Sequence, residues 1–462
     1  MKKIFFALIG CLTVVCVHAA QIANIEYVHK MIEHKWDITV PYNPMLSNVK
    51  SMANMKYLLT AIDVANEILN GEKTTDYGNG EFATLQVADT TATNTAVETL
   101  IKKEQKHEFT LTTTPNTSSF EFSISAAGEF VVDWGDGTVE TITKPDTTKT
   151  YCSHGYDTAG AYTIGLSGQA TAYNTDTYNA AISFYYDGDT QSKKIASIDG
   201  SLGAIFGTLP DATEKQPRFY QTFYGASNMT GSIPSDLFAG ISGAPASNMF
   251  ESTFSDCRNL TTIPNGLFAG ISGAPASYMF AYTFSGCSGL TSIPAGLFAG
   301  ISGAPAESMF AYTFLDCSGL TSIPAGLFAG ISGAPAEGMF SGTFSGCSGL
   351  TGAIPSGLFA GISGAPASAS FMFAGTFSGC SGLTSIPENL FGNISGTAQD
   401  NMFATMFDSC TSLTGPSARI NGKYLYEIWP ALGFNYVKGP YYGCTGLSDY
   451  STMPAVWRSF ND

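Results

Sequence analysis

Thr283-Phe284-Ser285-Gly286-Cys287-Ser288-Gly289-Leu290-Thr291-Ser292-Ile293-Pro294-Ala295-Gly296-Leu297-Phe298-Ala299-Gly300-Ile301-Ser302-Gly303-Ala304-Pro305-Ala306 is followed by a Met-Phe pair, and then the phrase begins again. Its cysteine recurs at Cys257, Cys287, Cys317 and Cys347, then at Cys380, Cys410 and Cys444, while Ala226 holds the equivalent place in a degenerate first copy. Eight units of about thirty residues thus fill residues 218–454, and the outer units are atypical, as end units of an array are. One unit is too short to cover its own Phe and Leu side chains. Stacking is what supplies a core.

Within a unit, Pro305 sits where the first turn of a helix accepts a missing N–H, and Met309, Phe310, Phe314 and Cys317 follow at three- and four-residue spacing. This predicts a short helix ending at Cys-Ser-Gly. Leu320-Thr-Ser-Ile323 alternates apolar with polar and stops at Pro324, which predicts a strand of two to four residues in every copy. Leu327, Phe328 and Ile331 predict a second helical turn over 325–331.

Composition narrows the function. The chain has 462 residues, 44% hydrophobic and 13% charged, with 21 Lys and Arg against 37 Asp and Glu. Residues 1–20 read as a secretory signal: Lys2 and Lys3, an apolar run from Ile4 to Val17, and a cleavage site at Val17-His18-Ala19. Leu8-Ile9-Gly10-Cys11 also has the form of a lipoprotein box, although it would leave a short apolar core. Without Lys2 and Lys3 the balance is 19 − 37 = −18, which repels nucleic acid and anionic lipid. No later segment is apolar and long enough to span a membrane, so no membrane insertion is expected once the signal is removed.

The cysteines invite three readings. Packed helical layers lie about 8–10 Å apart, beyond the roughly 6.8 Å that a disulfide spans between Cα atoms. Buried free thiols are therefore expected over a ladder of disulfides. Metal binding is disfavoured, since no His or second Cys accompanies any column member.

Phe284-x-x-Cys287-x-x-Leu290-x-x-Ile293-Pro294 resembles the repeat of BspA-type leucine-rich-repeat surface proteins of bacteria, and seven copies keep the cysteine. The resemblance covers roughly half of the chain. It departs in length, with Leu-Phe-Ala-Gly-Ile-Ser-Gly-Ala-Pro-Ala added to the usual short coil. It implies a cell-surface or secreted location on a bacterium and a role in attachment.

Upstream, Glu108–Thr113, Ser119–Ser125, Glu129–Trp134, Val139–Thr143 and Ala161–Leu166 alternate as short strands, predicting a β-sandwich. Asp133-Trp134-Gly135-Asp136-Gly137-Thr138, followed by His154, Tyr156, Gly160, Tyr162, Thr163 and Ile164, resembles the polycystic-kidney-disease (PKD) type of immunoglobulin-like domain. Such domains serve as spacers or adhesive modules. Asp133 and Asp136 could ligate calcium, as could Asp187 and Asp189, but a hairpin turn calls for Asp and Gly in any case. Residues 21–105 carry helical spacing over 22–36 and 49–69, and His29 and His34 stand five apart, which does not place two ligands on one helix face.

The expected class is therefore multidomain: a signal peptide at 1–20, a short helical segment at 21–105, a PKD-like β-sandwich at 106–200, a linker or cap at 201–217, an α/β leucine-rich-repeat-like solenoid at 218–454 and a tail at 455–462. No catalytic constellation stands out. From Phe219 to Thr414 a single cation, Arg258, faces nine carboxylates with no His or Lys, and the array repeats no base beside a nucleophile. The chain is expected to be no enzyme and to need no cofactor. It reads as an adhesin or interaction scaffold for an extracellular protein or glycan, with carbohydrate binding and a structural surface coat as alternatives. Asn116, Asn228 and Asn393 head glycosylation-type triplets, which are accidental in a bacterial chain.

Overall fold

Phe109, Leu111 and Thr113 point inward and Thr110 and Thr112 outward, and this two-residue period makes the segment a strand with one buried face. The computed structural model describes residues 107–185, 191–364, 370–397, 399, 401–430, 432 and 438–460. The signal at 1–20, the helical segment at 21–105 and the Asp187-Gly188-Asp189 triplet lie outside the described residues. From Phe109 onward the chain forms one compact unit.

Eight strands open that unit: β1 (Phe109–Thr113), β2 (Thr117–Ile124), β3 (Ala126–Asp133), β4 (Val139–Lys144), β5 (Thr150–Gly160), β6 (Thr163–Tyr173), β7 (Ile182–Ser183) and β8 (Ile195–Gly200). They form two sheets, of order β4-β3-β6-β1-β8 and β5-β2-β7, with every pair antiparallel. The sheets share a core in which Phe122 of β2 meets Trp134 at 5.7 Å and Phe109 of β1 meets Phe184 at 5.9 Å between ring centres. β5, β7 and β8 lie beyond the five strands predicted from alternation.

The sheets are hydrogen-bonded directly to the repeats. The Ala181 N–H donates to the Arg218 carbonyl at 2.8 Å and the Phe184 N–H to that of Thr222 at 2.9 Å, so the chain around β7 lies alongside the first copy. The start of 201–217 packs as well: the Ser201 hydroxyl caps α1 (Leu202–Ile205) by accepting from the Ala204 N–H, and Leu202, Ile205 and Phe206 are buried.

The α/β solenoid is corrected here. Helix makes up 4% of the structure; among the described residues α1, α2 (Leu425–Ile428) and α3 (Ala455–Arg458) have four residues each, and all are outside the repeated phrase. Where helices were predicted the chain makes consecutive tight turns. Glu251, Thr253, Ser255 and Cys257 donate their N–H groups three residues back, to Asn248, Phe250, Ser252 and Phe254. Alternate residues Phe250, Ser252, Phe254 and Asp256 donate instead to Met279, Ala281, Thr283 and Ser285 of the next copy. An α-helix keeps every interior N–H for its own i−4 carbonyl. Here half of them are committed to a neighbour.

Left-handed residues every fourth position, Asn248, Ser252 and Asp256 with φ between 54° and 59°, set this pattern, and Tyr278, Tyr282 and Gly286 repeat it. The predicted strand after the cysteine forms only in part. Leu260–Thr262 pairs in parallel with Gly231–Ser232, and Leu383–Ser385 with Gly352–Ala353. In the central copies the contact thins to a Thr321 N–H at 3.4 Å from the Thr291 carbonyl, at the limit of a hydrogen bond.

Equivalent side chains stack on themselves. Phe250, Phe280, Phe310 and Phe340 follow one another at 5.6–5.8 Å and within 7° of parallel. Phe254, Phe284, Phe314 and Phe344 make a second ladder, and Phe268, Phe298, Phe328 and Phe359 a third. Each buried ring contributes about 1.5–3 kcal/mol by leaving water. At one end Phe223 is covered by Phe184 at 5.3 Å; at the other Phe407 is covered by Tyr441 at 5.5 Å and Phe403 by Trp429 at 5.6 Å.

Candidate functional site

The PKD-like residues are brought together by the β3–β4 turn and the neighbouring β5 strand. Asp133 Oδ1 accepts from the Gly135 N–H and Asp136 Oδ1 from the Thr138 N–H, both at 2.9 Å, so these carboxylates close the turn. Gly135 has φ +83°, and a Cβ there would lie 2.5 Å from the Thr163 carbonyl oxygen. Gly137 likewise has a positive φ, whereas Gly160 ends β5 against the Tyr162 ring.

His154 lies flat on Trp134, 5.1 Å between centres, and its Nε2 donates to Asp136 Oδ2 at 2.7 Å. The Tyr156 hydroxyl donates to the Trp134 carbonyl at 2.9 Å, and Tyr156 stacks on Tyr162. Partial burial opposes ionisation of Asp136, but the hydrogen bonds from His154 and Thr138 outweigh it and hold that carboxyl below its ordinary value. Burial, reinforced by Asp136, raises the Tyr156 phenol. The Trp134 Nε1–H donates to Glu140 Oε2 at 3.3 Å, while His154 and Tyr156 bond to other members of the cluster. The cluster locks the hairpin, and among the described residues no group of three or more His, Cys, Asp or Glu could hold a metal ion.

The cysteine column lies inside the stack. Cys257, Cys287, Cys317, Cys347, Cys380, Cys410 and Cys444 are buried free thiols, as is Cys152 on β5. Each column thiol donates to the carbonyl of a Phe one copy earlier, from Cys257 on Phe223 at 3.2 Å to Cys444 on Phe407 at 2.9 Å. Burial pushes all of them up, Cys444 to about 12, and burial with the Glu140 carboxylate pushes Cys152 to about 12. Thiolate is the reactive form, so these groups are inert. Helical layer spacing cannot be what keeps them apart, because the described residues of the repeated phrase form no helices. Their bonds to carbonyls orient them instead.

Beside the thiols runs a column of threonines that the sequence reading did not single out. Thr253, Thr283, Thr313, Thr343 and Thr376 are fully buried, and each hydroxyl donates at 2.8–3.0 Å to a Phe carbonyl of the preceding copy. Its signal is the four-residue offset from Met279 to Thr283 to Cys287, which recurs copy by copy.

Outside, aromatic side chains gather where the sheets meet the first copies. Tyr178, Tyr185 and Tyr220 line a depression of about 110 Å³ together with Lys149, Ser183 and Gln221. Tyr178 packs edge-on to Tyr220 at 5.5 Å, Tyr185 lies 4.7 Å from Tyr224, and further along Tyr282 stacks on Tyr312 at 4.8 Å. Burial pushes Tyr220 and Tyr282 up to about 12, with the Glu251 carboxylate adding to both. Glu251 is itself raised by burial and accepts a hydrogen bond from Asn248.

Compared with models of known protein families and with curated proteins, the chain matches none. No helix among the described residues is long and apolar enough to cross a membrane.

Proposed function

We propose that the chain is an exported bacterial surface protein that works as an adhesin or interaction scaffold through its repeat array. The leader at residues 1–20 and the BspA-type and PKD-like motifs motivate the location. One observation carries the role. The interior is closed, with every column thiol and the central threonine hydroxyls turned onto phenylalanine carbonyls, so the side chains offered to a partner are those of the outer surface, repeated copy by copy. Repeated weak contacts multiply into avidity. An excess of carboxylates over cations disfavours nucleic acid and anionic membranes as partners.

The two covered ends weigh against a coat built by end-to-end stacking, since Phe184 and Phe109 cap one end and Trp429, Tyr441 and Trp457 the other. The test is binding of the mature chain, without residues 1–20, to arrays of extracellular matrix proteins, mucins and glycans. Saturable binding to at least one class is expected. Binding to none of them overturns the proposal.

A further inference from the structure

Six tyrosines on the outside fall into three ring pairs, Tyr178–Tyr220, Tyr185–Tyr224 and Tyr282–Tyr312. Glu251 of the second copy acts electrostatically on both Tyr220 and Tyr282, which links the first pair to the third. The fold does not demand them. Where the first copy has Tyr220, later copies have Ala281, Ala311 and Ser341; where the third and fourth have Tyr282 and Tyr312, others have Ser252, Gly342 and Gly375. Tyr178 is 62% exposed.

The chemistry around these rings selects a ligand. Tyrosine supplies a broad apolar face and a polar tip at low conformational cost. A pyranose ring has the matching form, a face of polarised C–H bonds and a rim of hydroxyls. Gln221 and Glu251 provide acceptors and donors beside the rings, and Lys149 is the cation lining the depression. An anionic sugar would meet Glu251 and the strongly negative chain. An extended peptide would need an open backbone edge, but the N–H groups of Phe219, Gln221 and Phe223 go to the second copy, and the carbonyls of Arg218 and Thr222 are taken by Ala181 and Phe184.

We propose that the surface around these rings binds a neutral glycan, its sugar rings lying on Tyr178, Tyr220 and Tyr282 and its hydroxyls meeting Gln221 and Glu251. The inference rests on the surface-binding reading above and names its ligand class.

The test compares the mature chain with Y178A/Y220A, Y282A/Y312A and, as a control, Tyr442→Ala, exposed in the last copy, on neutral glycans, sialylated and sulfated glycans, and immobilised proteins. Neutral oligosaccharide binding that weakens roughly tenfold in each double variant and is unchanged in Y442A is expected. Should a double variant unfold, nitration of Tyr178 in the unaltered chain gives the answer, because a bound oligosaccharide slows it. Undiminished binding in the variants, unaltered nitration, or a preference for anionic glycans overturns the proposal. Binding to proteins without glycans overturns it while leaving the surface-binding function standing, and binding to nothing removes both.

Discussion

The two sheets and the repeat array solve the same problem, covering large aromatic side chains, in opposite ways. In the sheets each buried position is unique: Trp134 sits among Phe122, His154 and the Tyr156 hydroxyl, and no second position duplicates it. In the array Phe310 meets copies of itself, Phe280 and Phe340, and the same third-ladder partners, Phe298 and Phe328. The first arrangement depends on strand register, where a one-residue slip reverses every side chain. The second depends only on a unit complementing its own image, so its energetics are those of nearest neighbours.

Cavity-forming substitutions should separate the two most sharply. Trp134→Ala and Phe310→Ala should each cost about 3–5 kcal/mol. The tryptophan change is expected to raise amide hydrogen exchange across all eight strands. The phenylalanine change should raise it only in the copies on either side. Exchange that spreads equally through the chain in both variants would erase the distinction.

A smaller effect is expected from Thr313→Val. It keeps the shape but removes the hydroxyl shared between the Phe280 and Phe310 carbonyls, at a cost of about 1–2 kcal/mol. Chemical denaturation should show it as a lowered midpoint with unchanged slope. A variant as stable as the parent would mean that the threonine column is packing alone.

The smallest effect lies in the sheets. Because the Asp136 carboxyl is held below its ordinary value of 3.8, the stability it carries is present above that value and is lost as pH falls through its lower folded value. Asp136→Asn should melt below the parent at neutral pH, and the gap should narrow as the pH falls below 3.8. A gap independent of pH would show that His154 and Thr138 bind the amide as well as the carboxylate.

Much of the array is legible in the sequence. The Phe and Cys columns can be read directly, because identical residues thirty apart have nothing to pack against but each other. The helices are not correctly legible, for a physical reason. Met279, Thr283 and Cys287, with Phe280 and Phe284, recur at an even four, which over nine residues differs by less than one position from the 3.6 of a helix. Only the left-handed residues at Tyr278, Tyr282 and Gly286 distinguish the two, and a tyrosine does not announce that conformation as a glycine does.

The strand β5 is hidden for another reason: its residues from Ser153 to Gly160 alternate irregularly, with a register shift against β2 near Ser119. The tyrosine pairing is invisible in one dimension. Tyr178 and Tyr220 meet only because the chain around β7 runs alongside the first copy.

The end plates have a consequence for how such a chain can change over generations. Since Phe184 closes one terminus of the stack and Tyr441 with Trp457 the other, a thirty-residue block gained or lost between Cys287 and Cys347 leaves both closures intact. Near-identical blocks invite such slippage during gene copying. The reach of the molecule can therefore lengthen or shorten in whole steps, with no new terminus to invent each time.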